Sequence, residues 1–376
     1  MRRVVAGSVA LVLSLAACQD DLVFVDDGLP PAAPTALAVS YYAGSVTVTW
    51  ELAPDWNEEA FRVYARRVTD ADFFFIAEVT SCIEDFCSYE DLNVTAGETY
   101  EYVVSAVSSS GIETESSFSV EQFVPQPTAP PVPDSSYVIA LDDANYLAWG
   151  VAGRAADDFS HYKVYVDDGV EVFLLGETDS EGFLDLLAVN GVTYGYFVTS
   201  VDTDGHESDD GILAEGTPRP DFTGEWLYGY GAQPEQSGFV FVEEESTIPV
   251  IDGDAAARHF RLETDPNGWW LVSNGLTTIT AGQVTTALKC GVAADANCVD
   301  LMSAPLSSAE YSNADLSVET QTSYALRVVG NDDQFHYGVI RVDLLGFDQN
   351  NVPIMIFDWA YQLQAGNPNL ATSPSG

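Results

Sequence analysis

Four of the five cysteines fall into two close pairs, Cys82/Cys87 and Cys290/Cys298. Thiols so placed either oxidise to local disulfides or combine in a four-cysteine metal site. Neither pair has the two-residue spacing of a zinc knuckle, so two disulfides are expected in an oxidising compartment and no bound metal. The acidic run Asp202-Thr203-Asp204-Gly205-His206-Glu207-Ser208-Asp209-Asp210 gathers hard oxygen ligands, but its spacing departs from the twelve-residue EF-hand loop, so no calcium site is expected. No Gly-x-Ser-x-Gly, His-Glu-x-x-His or phosphate-cradling glycine loop is present. Paired carboxylates carry no signal in a chain with 58 Asp and Glu. These patterns predict a protein that is not an enzyme.

The first segment predicts export. Arg2 and Arg3 precede an apolar stretch, Val4 to Leu15, that is too short to span a bilayer. It closes on Leu15-Ala16-Ala17-Cys18, which resembles the lipobox of bacterial lipoproteins. The resemblance implies a signal peptide at 1–17, acylation of Cys18, and Gln19 as an outer-membrane sorting position. Several acyl chains, at roughly 0.8 kcal/mol per buried methylene, anchor a protein without a membrane-spanning helix.

Charge agrees with that placement. Without Arg2 and Arg3 the chain has 11 basic against 58 acidic residues, a net charge of −47. Such a surface repels nucleic acid and anionic headgroups, which excludes DNA, RNA and polybasic membrane binding. Aliphatic and aromatic residues still recur in short alternating runs, so the chain has a core to bury.

Proline clusters divide it. Residues 18–32 form an acidic, proline-rich tether, and residues 125–133, Pro125 to Pro133, form a stiff linker. A weaker break lies at Thr217-Pro218-Arg219-Pro220. Between these breaks lie segments 33–124 and 134–216, of ordinary domain size, and a longer segment at 221–370.

The two shorter segments repeat one another. Val46-Thr47-Val48-Thr49-Trp50 alternates as a half-buried strand does, and Tyr146-Leu147-Ala148-Trp149 is its counterpart. Phe61-Arg62-Val63-Tyr64 matches Tyr162-Lys163-Val164-Tyr165, and Tyr100-Glu101-Tyr102 matches Tyr194-Gly195-Tyr196. Leu92 and Leu186 precede those tyrosines at equal offsets, and Gly111 and Gly205 follow them at equal offsets. Each segment resembles a fibronectin type III domain. The resemblance implies a sandwich of two antiparallel sheets, a core Trp (Trp50, Trp149) between them, and a tyrosine corner at Tyr100 and Tyr194. His206 then lies on a turn tip, expected in solvent, and His161 opens a strand at the edge of the sandwich.

In 221–370, strand-like runs cover 222–230, 239–242, 259–262, 269–272, 324–329, 337–345 and 354–363, with a short helix expected near Ser303–Ser312. An antiparallel sandwich or partly closed barrel is predicted. The series His259-Phe260-Arg261-Leu262, Trp269-Trp270, Tyr324-Ala325-Leu326-Arg327 and Phe357-Asp358-Trp359-Ala360-Tyr361 resembles the HmuY-type haem-binding lipoproteins. That resemblance implies axial ligation of haem by His or Met, for which His259, His336, Met302 and Met355 are the candidates. The family's Trp-Asp pair is here Trp270-Leu271.

The sequence thus predicts an all-β chain: two tandem fibronectin type III-like sandwiches, then a larger antiparallel β-rich domain. It predicts a non-enzymatic, lipid-anchored binding or adhesion protein, on the outer membrane, without a cofactor. Its partners are the membrane and a protein or glycan ligand; the alternative is haem capture by the C-terminal domain.

Overall fold

The computed structural model describes residues 29–370 and 373–374, apart from 245–246 and 292–293. Cys18 and the signal segment lie outside the described residues. The chain is nearly all β and antiparallel, and it divides into two compact units, Met1–Gln126 and Pro127–Gly376.

Unit 1 is built from eight strands: β1 (Thr35–Tyr42), β2 (Ser45–Glu51), β3 (Ala60–Arg67), β4 (Phe74–Val79), β5 (Phe86–Asp91), β6 (Thr99–Val107), β7 (Glu113–Glu115) and β8 (Val120–Phe123). One sheet has the order β1-β2-β5 and the other β4-β3-β6-β7, with β8 also on β6. That partition is the strand order of a fibronectin type III sandwich. Period-two alternation sorts the side chains: Val46, Val48 and Trp50 on β2 and Phe61, Val63 and Ala65 on β3 are buried, while the residues between them face outward. Trp50 meets Phe61 edge to face at 5.5 Å across the inter-sheet gap.

In unit 2 the first sandwich repeats this plan. Its strands are β9 (Ser136–Leu141), β10 (Ala144–Trp149), β11 (Phe159–Asp167), β12 (Val172–Thr178), β13 (Gly182–Asp185), β14 (Tyr194–Asp202) and β15 (Ala214–Gly216). The sheets run β13-β10-β9 and β12-β11-β14-β15, residues 373–374 adding to β9. Trp149 packs on Tyr162 at 5.4 Å, the counterpart of Trp50 on Phe61.

Both tyrosine corners are formed. The Thr95 amide donates to the Tyr100 hydroxyl at 3.0 Å and the Val189 amide to the Tyr194 hydroxyl at 3.2 Å. Beneath them lies a second repeated pair that the sequence did not announce. Tyr102 donates to buried Asp91 at 3.0 Å, and Tyr196 to buried Asp185 at 2.8 Å. A third repeat crosses the outer face. Glu113 accepts from Tyr64 and pairs with Arg62, as Glu207 accepts from Tyr165 and pairs with Lys163 at 2.7 Å.

Two histidine expectations are corrected here. His206 is buried rather than solvated, because Asp202 folds beneath the turn and takes its ring Nδ1 at 2.9 Å and its amide at 2.7 Å. His161 lies on β11, an interior strand flanked by β12 and β14, rather than at an edge.

The C-terminal section continues with β16 (Asp221–Tyr228), β17 (Gly238–Phe239), β18 (Val250–Ile251), β19 (Phe260–Asp265), β20 (Gly268–Ser273), β21 (Thr278–Thr280), β22 (Gln283–Val284), β23 (Tyr311–Ser312), β24 (Leu316–Ser317), β25 (Thr322–Val329), β26 (Phe335–Phe347) and β27 (Pro353–Tyr361). A seven-stranded sheet runs β16-β27-β26-β25-β21-β23, with β22 also on β25. A five-stranded sheet, β18-β17-β19-β20-β24, packs on it through a core that includes Phe239, Phe260, Leu262, Tyr324, Phe357 and Trp359. It is a sandwich, not a barrel. The opposite face of the larger sheet is covered too, by Leu288, Ala304 and Leu370 against Ala325, Val339 and Ala360. The helix expected near 303–312 is only a three-residue 3₁₀ turn, Ser308–Glu310; Pro305 supplies no backbone donor, and Tyr311 already pairs in β23.

The chain passes between the two sections of unit 2 at Thr217–Pro220, and bonds cross there. Arg219 is buried: its amide donates to Leu141 O at 3.0 Å and its guanidinium donates to Leu370 O. The Gln364 amide reaches Gly191 O at 3.2 Å and Thr193 Oγ1 at 2.7 Å. Desolvation lowers the Arg219 pKa to about 10, with Asp221 and Asp300 offsetting part of it.

Both cysteine pairs are disulfides, Cys82–Cys87 and Cys290–Cys298.

Candidate binding cleft in the C-terminal section

The residues singled out as iron ligands do not converge. Met302 is half exposed beside Leu370, on the side of the large sheet away from the main core. Met355 is fully buried in that core. His336 is buried with both ring nitrogens engaged, Nδ1 by Gln362 O at 3.2 Å and Nε2 by Asp332 at 3.1 Å. His259 and His336 stand at opposite ends of a run of rings: His259 on Phe241 at 5.6 Å, Phe241 stacked on Tyr361 at 5.1 Å, and Tyr361 on His336 at 5.8 Å. Gly338 makes this run possible, since a Cβ there would stand 2.4 Å from the Phe241 ring.

His259 borders a cleft of about 590 Å³ lined also by Phe241, Tyr361, Leu276, Glu243 and Glu244. Its Nδ1 accepts the Phe241 amide at 3.1 Å, which places the ring proton on Nε2. Burial lowers its pKa from 6.5 to about 4, so the imidazole is neutral at pH 7.

A second cleft, about 430 Å³, has a different make-up. It lies along β16, the free edge of the large sheet, and is closed on its other side by Thr247, Ile248, Pro249 and Val250. Phe222 and Trp226 stand about half exposed in it, and Trp359 forms its floor. The ladder between β16 and β27 slips by one residue between Phe222 and Glu225. Gly224 sits in that bulge at φ 79°, a backbone state that strains any other residue, and its amide is tied to Asp358 at 2.9 Å. The slip re-aims the strand, turning Glu225 inward and leaving Trp226 outward.

Floor and core are one structure. Trp359 packs on Phe239 at 5.8 Å, and Phe239 also meets Phe241, Phe260 and Phe357 at 5.1–5.2 Å. Phe222 stacks on Trp359 at 6.5 Å. A wall held by such a packed cluster is preorganised.

The polar groups are few. Glu225 is buried, its carboxyl accepts the Trp226 amide at 3.1 Å, and desolvation raises its pKa despite that bond. The buried Trp359 indole N–H points to that carboxyl and partly offsets its desolvation, although it makes no hydrogen bond of normal geometry among the described residues. Asp221 is paired with Lys289, and Gln236 and Thr247 complete the rim.

No family model and no curated protein matches the sequence. Among solved structures the chain is similar to the FN1–FN3 domains of chicken CNTN1, at 15% identity and a TM-score of 0.37, over 50% of this chain and 68% of that one. It is also similar to a structure described as "Myokine structure", at 26% identity and a TM-score of 0.22, over 26% of this chain and 99% of that one. These overlaps are loose, and the fibronectin-like assignment rests on the strand order and the repeated contacts.

Sequence reasoning missed this cleft. Phe222 and Trp226 fell inside a predicted strand, but their exposure depends on the bulge at Gly224 and on Trp359, far along the chain. One signal was available: three aromatic residues on strands that read otherwise as half-buried.

Proposed function

We propose that the chain is a lipid-anchored binding protein of the bacterial cell envelope, in which fibronectin-like sandwiches carry a C-terminal section that holds the ligand. The observation that carries this reading is the cleft of Phe222, Trp226 and Trp359, a concave and mostly apolar site with a few placed polar groups. Half-exposed aromatic rings around a buried carboxylate have no use in the core and are the composition of a recognition surface. Haem capture has less support. The cleft at His259 is bordered by Glu243 and Glu244, which would repel the propionates.

The anchor and the site are tested separately. In a bacterial host, Cys18→Ser should abolish incorporation of labelled fatty acid and release the protein from the membrane fraction; continued labelling would sink the anchor. A thermal-shift screen of the full-length protein against a chemically mixed library should find ligands that raise the unit 2 transition in the native chain and not in Trp226→Ala. If every ligand acts equally on both, this cleft is not the binding site.

A further inference from the structure

We propose, resting on the binding reading above, that the cleft along β16 takes a neutral saccharide, with a sugar ring laid against Trp226 and Phe222 and a hydroxyl donating to the Glu225 carboxyl. Three observations converge on that chemistry.

The first is the aromatic wall. Trp226 and Phe222 are each about half exposed and border the cleft, and Trp359 is the floor. The C–H face of a pyranose is apolar and flat, so it buries itself on indole and phenyl rings without giving up the hydroxyls at its rim. The cleft volume, about 430 Å³, is within the roughly 300–1,000 Å³ of small-ligand sites.

The second is the buried carboxyl. Glu225 is buried in the cleft wall, its carboxyl accepts the Trp226 amide, and desolvation works against its charge. A buried carboxylate with few donors is costly. A hydroxyl is the simplest neutral group that donates to it. A quaternary ammonium has no N–H or O–H to donate.

The third is charge. The chain carries a formal charge of −45, and the cleft holds Glu225, while Asp221 is already paired with Lys289. A uronate, a sulfated glycan or a phosphate would meet repulsion from Glu225 and from the whole surface. Uncharged sugars escape both penalties.

The test uses calorimetric titration of the full-length protein with cellotetraose, maltotetraose, xylotetraose and chitotetraose, beside a tetragalacturonate and choline. At least one neutral oligosaccharide should bind saturably. Trp226→Ala should weaken it by about tenfold or more, the loss of one aromatic contact and its buried area. Trp226→Phe should recover most of that loss, and the melting temperature should stay unchanged in both. Glu225→Gln, which keeps an acceptor but loses the charge, should weaken binding less than Glu225→Leu. Three outcomes would overturn the proposal: no neutral sugar binds, the uronate or choline binds more tightly than every neutral sugar, or Trp226→Ala leaves the affinity unchanged. A non-sugar hit in the mixed screen would leave the binding reading standing while this proposal fell.

Discussion

Trp50→Ala should lower the melting temperature of unit 1 by upwards of about 12 °C and leave unit 2 nearly unmoved. Trp50 is fully buried between the sheets and meets Phe61 edge to face. Removing a core indole costs about 3–5 kcal/mol, from lost transfer free energy and the cavity that remains. A domain of this size has only about 5–15 kcal/mol to lose, and each kcal/mol is worth roughly 4–8 °C. No bond to the indole nitrogen complicates the comparison, because Trp50 Nε1 has no hydrogen-bond partner among the described residues. Calorimetry of the full-length chain would resolve this. A unit 1 transition that stays in place would mean that the tryptophan does not hold the two sheets together. Trp226→Ala supplies the contrast, since that ring is half exposed and its loss should leave melting unchanged.

Unit 2 should lose about 2 kcal/mol of stability between pH 7 and pH 5, through His259. Its folded pKa is about 4 against an ordinary value of 6.5, lowered by burial. Above about pH 6.5 the imidazole is neutral whether the chain is folded or not, and it costs nothing. As pH falls below that, the unfolded chain takes up a proton that the folded one refuses. The folded state is penalised by about 1.4 kcal/mol per pH unit until the penalty levels off near pH 4. Protonating Nδ1 would also break the bond from the Phe241 amide. Carboxylates held below their ordinary range, such as Glu181, Glu207, Asp265 and Asp332, titrate beneath this window. Burial raises Glu225, Asp300 and Asp358, which act in the opposite direction. The difference between native protein and His259→Asn therefore isolates the imidazole, since Asn keeps an acceptor near Nδ1. Urea melts at pH 7 and pH 5 should show a smaller acid loss in His259→Asn, and equal losses would remove His259 as the cause.

What was legible in the sequence, and what was not, follows from how each interaction is encoded. Strands two and three of each sandwich were visible because period-two alternation writes burial directly into neighbouring positions, as in Val46, Val48 and Trp50. The tyrosine corners were visible because Tyr100 and Tyr194 bond to backbone five residues upstream, a local contact that needs only one residue type. Asp91 and Asp185 were invisible, although each stands next to a leucine that helped reveal the repeat. Those leucines, Leu92 and Leu186, are largely exposed, while the neighbouring aspartates are buried under Tyr102 and Tyr196. In a chain so rich in acids, a single Asp carries no signal of burial. Tyr324 makes the same five-residue bond, from the Glu319 amide at 2.9 Å, but it has no repeat partner to draw attention to it. His206 was misjudged for a related reason: its counterpart in the first sandwich is Ile112, which says nothing about an Asp202 folded beneath. The cleft of Trp226 and Trp359 was hidden because its walls come from segments far apart, joined by register rather than by spacing.

The two disulfides bear on how the chain matures. The four cysteines of these bridges can pair among themselves in three ways, and a wrong pairing among them would have to close a loop of some two hundred residues between Cys82 or Cys87 and Cys290 or Cys298. The native bridges span only five and eight residues. Short loops cost the least entropy to close, and loops of about ten residues close in roughly 10–100 ns, well before distant segments meet. Oxidation is therefore biased toward the native pairing, because among these four thiols the partner nearest in sequence is the correct one.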